Sequence, residues 1–134
     1  MKKTIMVIDA NKEQRRELRE LLEENQFNAV ELDSALNLDQ LIKDTGCRAI
    51  FWDIDTVPAD NRIIRDFTAK FPGVYFFCLS GQPIHPELRD AISYHIYACL
   101  SRPIDADELF FWLRSIEENK ANSKPTTNQS YSDR

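Results

Sequence analysis

Cysteine, histidine and glycine are all scarce in this chain of 134 residues, and each shortage narrows what it can be. Cys47, Cys78 and Cys99 are odd in number and widely spaced, with no CxxC pair, so they offer no disulfide framework. Cys78 and Cys99 lie in apolar runs and are expected as buried thiols of a reducing, cytoplasmic compartment, ahead of any metal-binding or catalytic role. His85 and His95 lack companions at metal-ligand spacing, so surface or packing roles are expected of both. Gly46, Gly73 and Gly81 are the only glycines, and each falls where an element is expected to end. Basic residues are outnumbered: the formal net charge is −5, which disfavours direct binding to nucleic acid or an anionic membrane. Long apolar runs are missing as well. The stretch at residues 5–8 is too short for a signal peptide despite Lys2 and Lys3 before it, and nothing approaches transmembrane length. No internal repeat is evident.

What remains is a chain suited to one domain with a two-sided core, at 43% hydrophobic and 29% charged residues. Its organising stretch is residues 48–58, RAIFWDIDTVP. An unbroken apolar run from Ala49 to Trp52 delivers Asp53 and Asp55 into a loop. A run buried on both sides suits a central strand of a parallel sheet, and chemistry in open α/β folds collects at the carboxyl ends of such strands. Two carboxylates there point to a nucleophile or a divalent-cation site; the competing reading is a pair of solvated acids opening a loop.

The rest of the chain alternates in the same way. Residues 4–8 read as a strand ending at Asp9. Asn11 is placed to cap a helix that buries Leu18, Leu21 and Leu22, with Gln14 at the capping-box position. Residues 27–32 form a weaker second strand. Ser34 is expected to cap a helix with Leu38, Leu41 and Ile42 inward, terminated by Gly46. Residues 60–71 predict a helix with Ile63, Ile64, Phe67 and Phe71 inward. Residues 74–79 predict a fourth strand, 86–94 a helix, 97–100 a fifth strand, and 105–119 a last helix. Five strands alternating with five helices imply a single doubly wound parallel sheet. Residues 120–134 carry almost no apolar side chain and are expected to be a disordered tail or linker after a domain at 1–119.

Asp9, Asp53, Ser80 and the Ser101-Arg102-Pro103 triplet all stand at strand ends, which converge on one edge of such a sheet. This pattern resembles the receiver domain of two-component response regulators over about residues 2–119. The resemblance implies a flavodoxin-like fold and an atypical single-domain response regulator in a phosphorelay. It places Asp53 as phosphoacceptor, Asp9 as the first member of a magnesium-binding acidic pair, Ser80 as the hydroxyl that reads the phosphate, and Arg102 at the position of the family's lysine. It also implies partners: a histidine kinase or phosphotransfer protein, a downstream protein target, and a homodimer through the 86–94 helix, the fifth strand and the last helix. Magnesium wants hard oxygen ligands, and two carboxylates at adjacent strand ends make a partial cage for it. A fixed cation assists the transferred phosphoryl group from the other side.

The chain departs from that family in several places. Ala10 stands where the second acidic residue is expected, which weakens the metal site and leaves Asp55 as a carboxylate that can compensate. Arg102 replaces a compact ammonium by a planar fork. Cys99 occupies the place of the switch aromatic. Pro58 falls one residue late after Asp53. A phosphorylation-independent pseudo-receiver is therefore the alternative, with Asp9 and Asp53 left as capping acids, Ser80 capping a turn, and Arg102 salt-bridged to Asp53 or Asp9. A third reading comes from Asp53-Ile54-Asp55-Thr56-Val57, which matches the DxDx[TV] motif of haloacid-dehalogenase-like hydrolases. Those enzymes carry it on the first strand and need further acids absent here. Apart from self-phosphorylation from a donor, no enzymatic activity is expected. On the last helix, Leu109, Leu113 and Ile116 form the inward stripe, while Phe111 and Trp112 are expected outside it as a partner-binding surface.

Overall fold

The computed structural model describes residues 3–82 and 95–121. Five parallel strands, β1 (Lys3–Ile8), β2 (Phe27–Leu32), β3 (Ala49–Asp53), β4 (Tyr75–Ser80) and β5 (Ala98–Ser101), lie in the order β2-β1-β3-β4-β5. This is the doubly wound sheet expected. Helices α1 (Lys12–Glu24), α2 (Leu38–Thr45), α3 (Asn61–Lys70) and α4 (Ala106–Ala121) complete the described elements. The helix expected at 86–94 and the tail from 122 onward lie outside the described residues.

The sheet is sandwiched, which explains its apolar strands. Every residue of β3 is buried. Alternate side chains serve opposite faces. Met6, Ile8, Ile50, Trp52, Phe76 and Cys78 pack with Leu38 and Ile42 of α2 and Ile64 of α3. Ile5, Val7, Phe51, Phe77, Leu79 and Leu100 pack with Leu18 and Leu22 of α1 and Leu109, Leu113 and Ile116 of α4.

Local signals at helix ends are partly as expected. Asn11 caps α1 by accepting from the Gln14 N–H, and Asp60 caps α3 by accepting from Ile63 N–H. Gly46 ends α2 with φ +62°, a left-handed conformation that glycine adopts without steric cost. The capping box at α1 is only half made: Asn11 N–H is taken by Asp9 Oδ1, and Gln14 Oε1 is buried with no hydrogen-bond partner. Ser34 does not cap α2. Its hydroxyl accepts from Leu36 N–H, and left-handed Asn37 occupies the cap without a side-chain hydrogen bond. Ile63 was expected inward and is 39% exposed, because Ile64 and Phe67 already fill that face.

The register places the loops that matter. Ile8 pairs with Trp52, so Asp9 follows β1 beside Asp53 at the end of β3. The β1/β3 boundary is where the strand order reverses, and ligand crevices form at such switch points. Ser80 pairs with Ser101, which brings Arg102 to the same edge.

Candidate functional site

Asp9 and Asp53 are completely buried at this edge, at 0% and 1% exposure. A buried carboxylate is costly unless paired and hydrogen-bonded, and both are. Asp53 Oδ1 accepts from the backbone N–H groups of Asp55 (3.0 Å) and Thr56 (2.9 Å), folding the loop after β3 into an Asx-type turn. Trp52 Nε1 holds the far end of that loop by donating to Val57 O at 2.8 Å. Asp9 Oδ1 accepts from Asn11 N–H (2.8 Å) and from the Thr56 hydroxyl (3.1 Å).

The remaining oxygens go to one cation. Arg102 Nε donates to Asp53 Oδ2 at 2.9 Å, and Nη2 donates to Asp9 Oδ2 at 2.9 Å. Nη2 also lies 2.9 Å from Asp53 Oδ2. The planar guanidinium thus spans both carboxylates, which a lysine ammonium could not do with the same fork. With a side chain only 18% exposed, Arg102 is itself largely shielded from water. It is joined to Pro103 by a cis peptide bond. Arg102 also lines a groove of about 500 Å³ with Gln14, Glu17, Leu18, Leu21, Pro103 and Ile104.

The other expected residues gather at the same edge with different partners. Buried Ser80 donates from its hydroxyl to Asp55 Oδ1 at 3.0 Å and accepts from Gln82 N–H at 2.9 Å. Asp55 Oδ2 accepts from Gly81 N–H at 2.8 Å. Asp55 therefore ties the β3 loop to the β4 loop, and its carboxylate does not turn toward Asp9. Among the described residues no group of three or more His, Cys, Asp or Glu side chains is placed to hold a metal ion. The donor set fits magnesium poorly: Ala10 contributes no carboxylate, Asp55 is turned away, and a guanidinium sits on the outer oxygens of Asp9 and Asp53.

Cys99 is a correction. It was expected buried and is exposed, because β5 is an edge strand. Cys78 is buried as expected, and Cys47 is buried as well. Trp112 is another: it is half-buried and packed edge-on against Tyr97 at a 5.5 Å centroid distance, while Phe111, 53% exposed, is the large apolar side chain that stands out from α4 among the described residues.

The sequence reading missed Thr56, whose hydroxyl also accepts from Ala10 N–H at 2.9 Å. It missed Arg15 too, which donates from Nη1 to Asp9 O at 2.8 Å while its Nε holds Glu31 at 2.7 Å. A hydroxyl three residues after the turn-forming aspartate was the available signal for Thr56. Nothing in the sequence marked Arg15 out from the other charges of α1.

No protein-family model matches the chain, and no curated relative matches it in sequence. Solved structures do match. The signal receiver domain of an HD domain-containing protein from Pseudomonas fluorescens Pf-5 superposes with a TM-score of 0.79 at 20% identity, covering 92% of this chain and 100% of that one. A CheY-like response regulator receiver domain protein from Methanospirillum hungatei JF-1 gives 0.79 at 13% identity with the same coverage. A response regulator from Thermotoga maritima gives 0.74 at 17% identity, over 87% of this chain and 98% of that one. The chain has the fold of CheY-like response regulator receiver domains. Fold alone leaves the chemistry to be argued from the site.

Proposed function

On that fold, we propose that the chain is a signal-transduction module that acts through protein–protein contacts, with Arg102 supplying from within the cation that magnesium would otherwise give the crevice carboxylates. One observation carries this reading. All four carboxylate oxygens of Asp9 and Asp53 have a donor within 3.1 Å, and the two outer ones share the guanidinium. A receiver that awaits a phosphoryl group needs an approachable acceptor oxygen. Here Oδ2 of Asp53 is held by a buried ion pair whose disruption leaves charge unpaired in a low-dielectric pocket. The module is then set in one state, and its output surface is presented without a phosphodonor. Exposed Phe111 on α4 is the anchor that a downstream protein, or a second copy of the chain, would cover.

A second reading is favoured by position. Asp53 ends the central strand at the switch point, with Ser80 and Arg102 on the flanking loops. In that reading Asp53 is the phosphoacceptor for a histidine kinase or phosphotransfer protein. Arg102 would then swing from Oδ2 to the phosphoryl oxygens, which its fork suits. The hydrolase reading gains no support: the second aspartate of its motif, Asp55, has its oxygens engaged by Ser80 and Gly81.

Intact mass after incubation with acetyl phosphate and magnesium separates these readings. The unmodified mass is expected. A phosphoryl adduct that disappears in Asp53→Asn would overturn the constitutive reading and establish the phosphoacceptor.

A further inference from the structure

Outside this crevice the molecule holds a second pair of chemically active side chains. β4 and β5 run parallel with Cys78 directly opposite Cys99. Adjacent strands lie about 4.8 Å apart, and paired residues in register project to the same face. That spacing falls within the roughly 4.4–6.8 Å Cα separation that a disulfide spans. The two side chains are therefore neighbours on one face of the β4–β5 ladder. They differ sharply in surroundings. Cys78 lies 3% exposed within the core that contains Trp52 and Ile96, whereas Cys99 is exposed on the edge strand.

We propose that Cys99 is a peroxide-sensitive thiol and that Cys78 resolves its oxidised form into a disulfide across the β4–β5 ladder. The neighbouring Cys78 side chain holds the Cys99 thiol below its ordinary range even though burial opposes this. The adjacent Cys99 thiol, then burial, then the charge on Cys99 and the nearby Asp55 and Asp53, push Cys78 upward. The nucleophile is thus the sulfur that solvent reaches, and its partner keeps its proton until it is needed. Cys47 sits elsewhere in the core, its thiol pushed up by burial, and stands as an internal control.

The chemistry balances in two steps. The Cys99 thiolate attacks one oxygen of hydrogen peroxide, the O–O bond breaks, and the departing hydroxide takes up a proton to leave as water. Cys99 is then a sulfenic acid. Cys78 gives up its proton and attacks the Cys99 sulfur; the S–O bond breaks, a second water leaves, and the S–S bond forms. Two thiols are oxidised by two electrons in total, and one peroxide is reduced to two waters. Cβ atoms on adjacent strands must draw together to about 3.8 Å to close the bridge, so it is strained and readily reduced by a dithiol.

The test uses the full reduced chain, hydrogen peroxide, and maleimide labelling after denaturation, followed by intact mass and peptide mapping. Two of the three thiols should be lost, with a mass lower by two hydrogens, a linked Cys78–Cys99 peptide and full recovery with dithiothreitol. Cys99→Ser should slow thiol loss about tenfold and remove the two-hydrogen product. Cys78→Ala should leave Cys99 gaining oxygen atoms instead. Retention of all three thiols, oxygen addition at Cys99 in the unsubstituted chain, or a link through Cys47 would each overturn the proposal. Cys99→Ser changes an exposed side chain, so the decision survives even if Cys78→Ala does not fold.

Discussion

The Thr56 hydroxyl donates to Asp9 Oδ1 at 3.1 Å and accepts from Ala10 N–H at 2.9 Å, stitching the loop after β3 to the loop after β1. The threonine occupies hydrogen-bonding space beside a residue that has no polar side chain of its own. Because one partner is a buried carboxylate, the hydroxyl stabilises more than a neutral pair would. Thr56→Val keeps the shape and removes the donor, and should cost about 1–3 kcal/mol in urea unfolding.

Arg102 and Asp53 should respond asymmetrically. The cluster has two carboxylates and one guanidinium, so removing the cation leaves two buried anions side by side. Arg102→Ala should cost about 3–5 kcal/mol. Asp53→Asn leaves a balanced Arg102–Asp9 pair and keeps an acceptor for the Asp55 and Thr56 N–H groups. It sets an amide N–H against the guanidinium where Oδ2 accepted, so it should cost about 1–3 kcal/mol, less than Arg102→Ala. Urea midpoints of both variants measure this; equal losses would contradict the role given to Arg102.

On α4, neighbouring aromatics should separate contact from packing. Phe111 sits edge-on to Trp112 at a 5.1 Å centroid distance but is mostly in solvent, while Trp112 packs on Tyr97. Phe111→Ala should change stability by less than about 0.5 kcal/mol and weaken self-association or partner capture. Trp112→Ala should cost about 1–3 kcal/mol, less than full core truncation because the ring is only half-buried. Sedimentation and thermal unfolding on the two variants distinguish these effects.

Glu31 carries a pH signature. Burial works against its ionisation, but hydrogen bonds from Arg15 and Arg19, with their charges, outweigh this and hold its carboxyl below the ordinary 4.5. A carboxylate lowered in the folded state contributes stability that is complete above its ordinary value and is lost as pH falls through the folded value. The unsubstituted chain should therefore exceed Glu31→Gln in urea midpoint at neutral pH. The two curves should converge as pH drops below about 4.5, over the window set by that downward shift.

Much of the fold was legible because strands covered on both faces leave continuous apolar runs, as in residues 49–52 and 75–79. Strand-end polar residues then located the crevice, and Asp9, Asp53, Ser80 and Arg102 do meet at one edge. What periodicity could not supply was direction and neighbourhood. It gives a face, not the angle at which Asp55 leaves the loop, so a carboxylate expected near Asp9 instead holds Ser80 and Gly81. It does not tell an edge strand from a central one, which is why Cys99 was expected buried. A helical wheel placed Trp112 outside the stripe of α4, but a long ring can lie back over Tyr97. Helix starts depend on loop geometry, and the turn at Ser34 diverted a capping residue from α2.

On the proposed reading, Arg102 and not a metal ion supplies the cation that pairs the crevice carboxylates in the resting protein. The Arg102 Nε–H resonance in nitrogen-15 NMR tests it most directly, recorded alone and with magnesium plus beryllofluoride. A slowly exchanging, hydrogen-bonded Nε–H that depends on Asp53 and is unmoved by either addition is expected. A resonance that exchanges rapidly with water, or one released when magnesium and beryllofluoride bind, would contradict it.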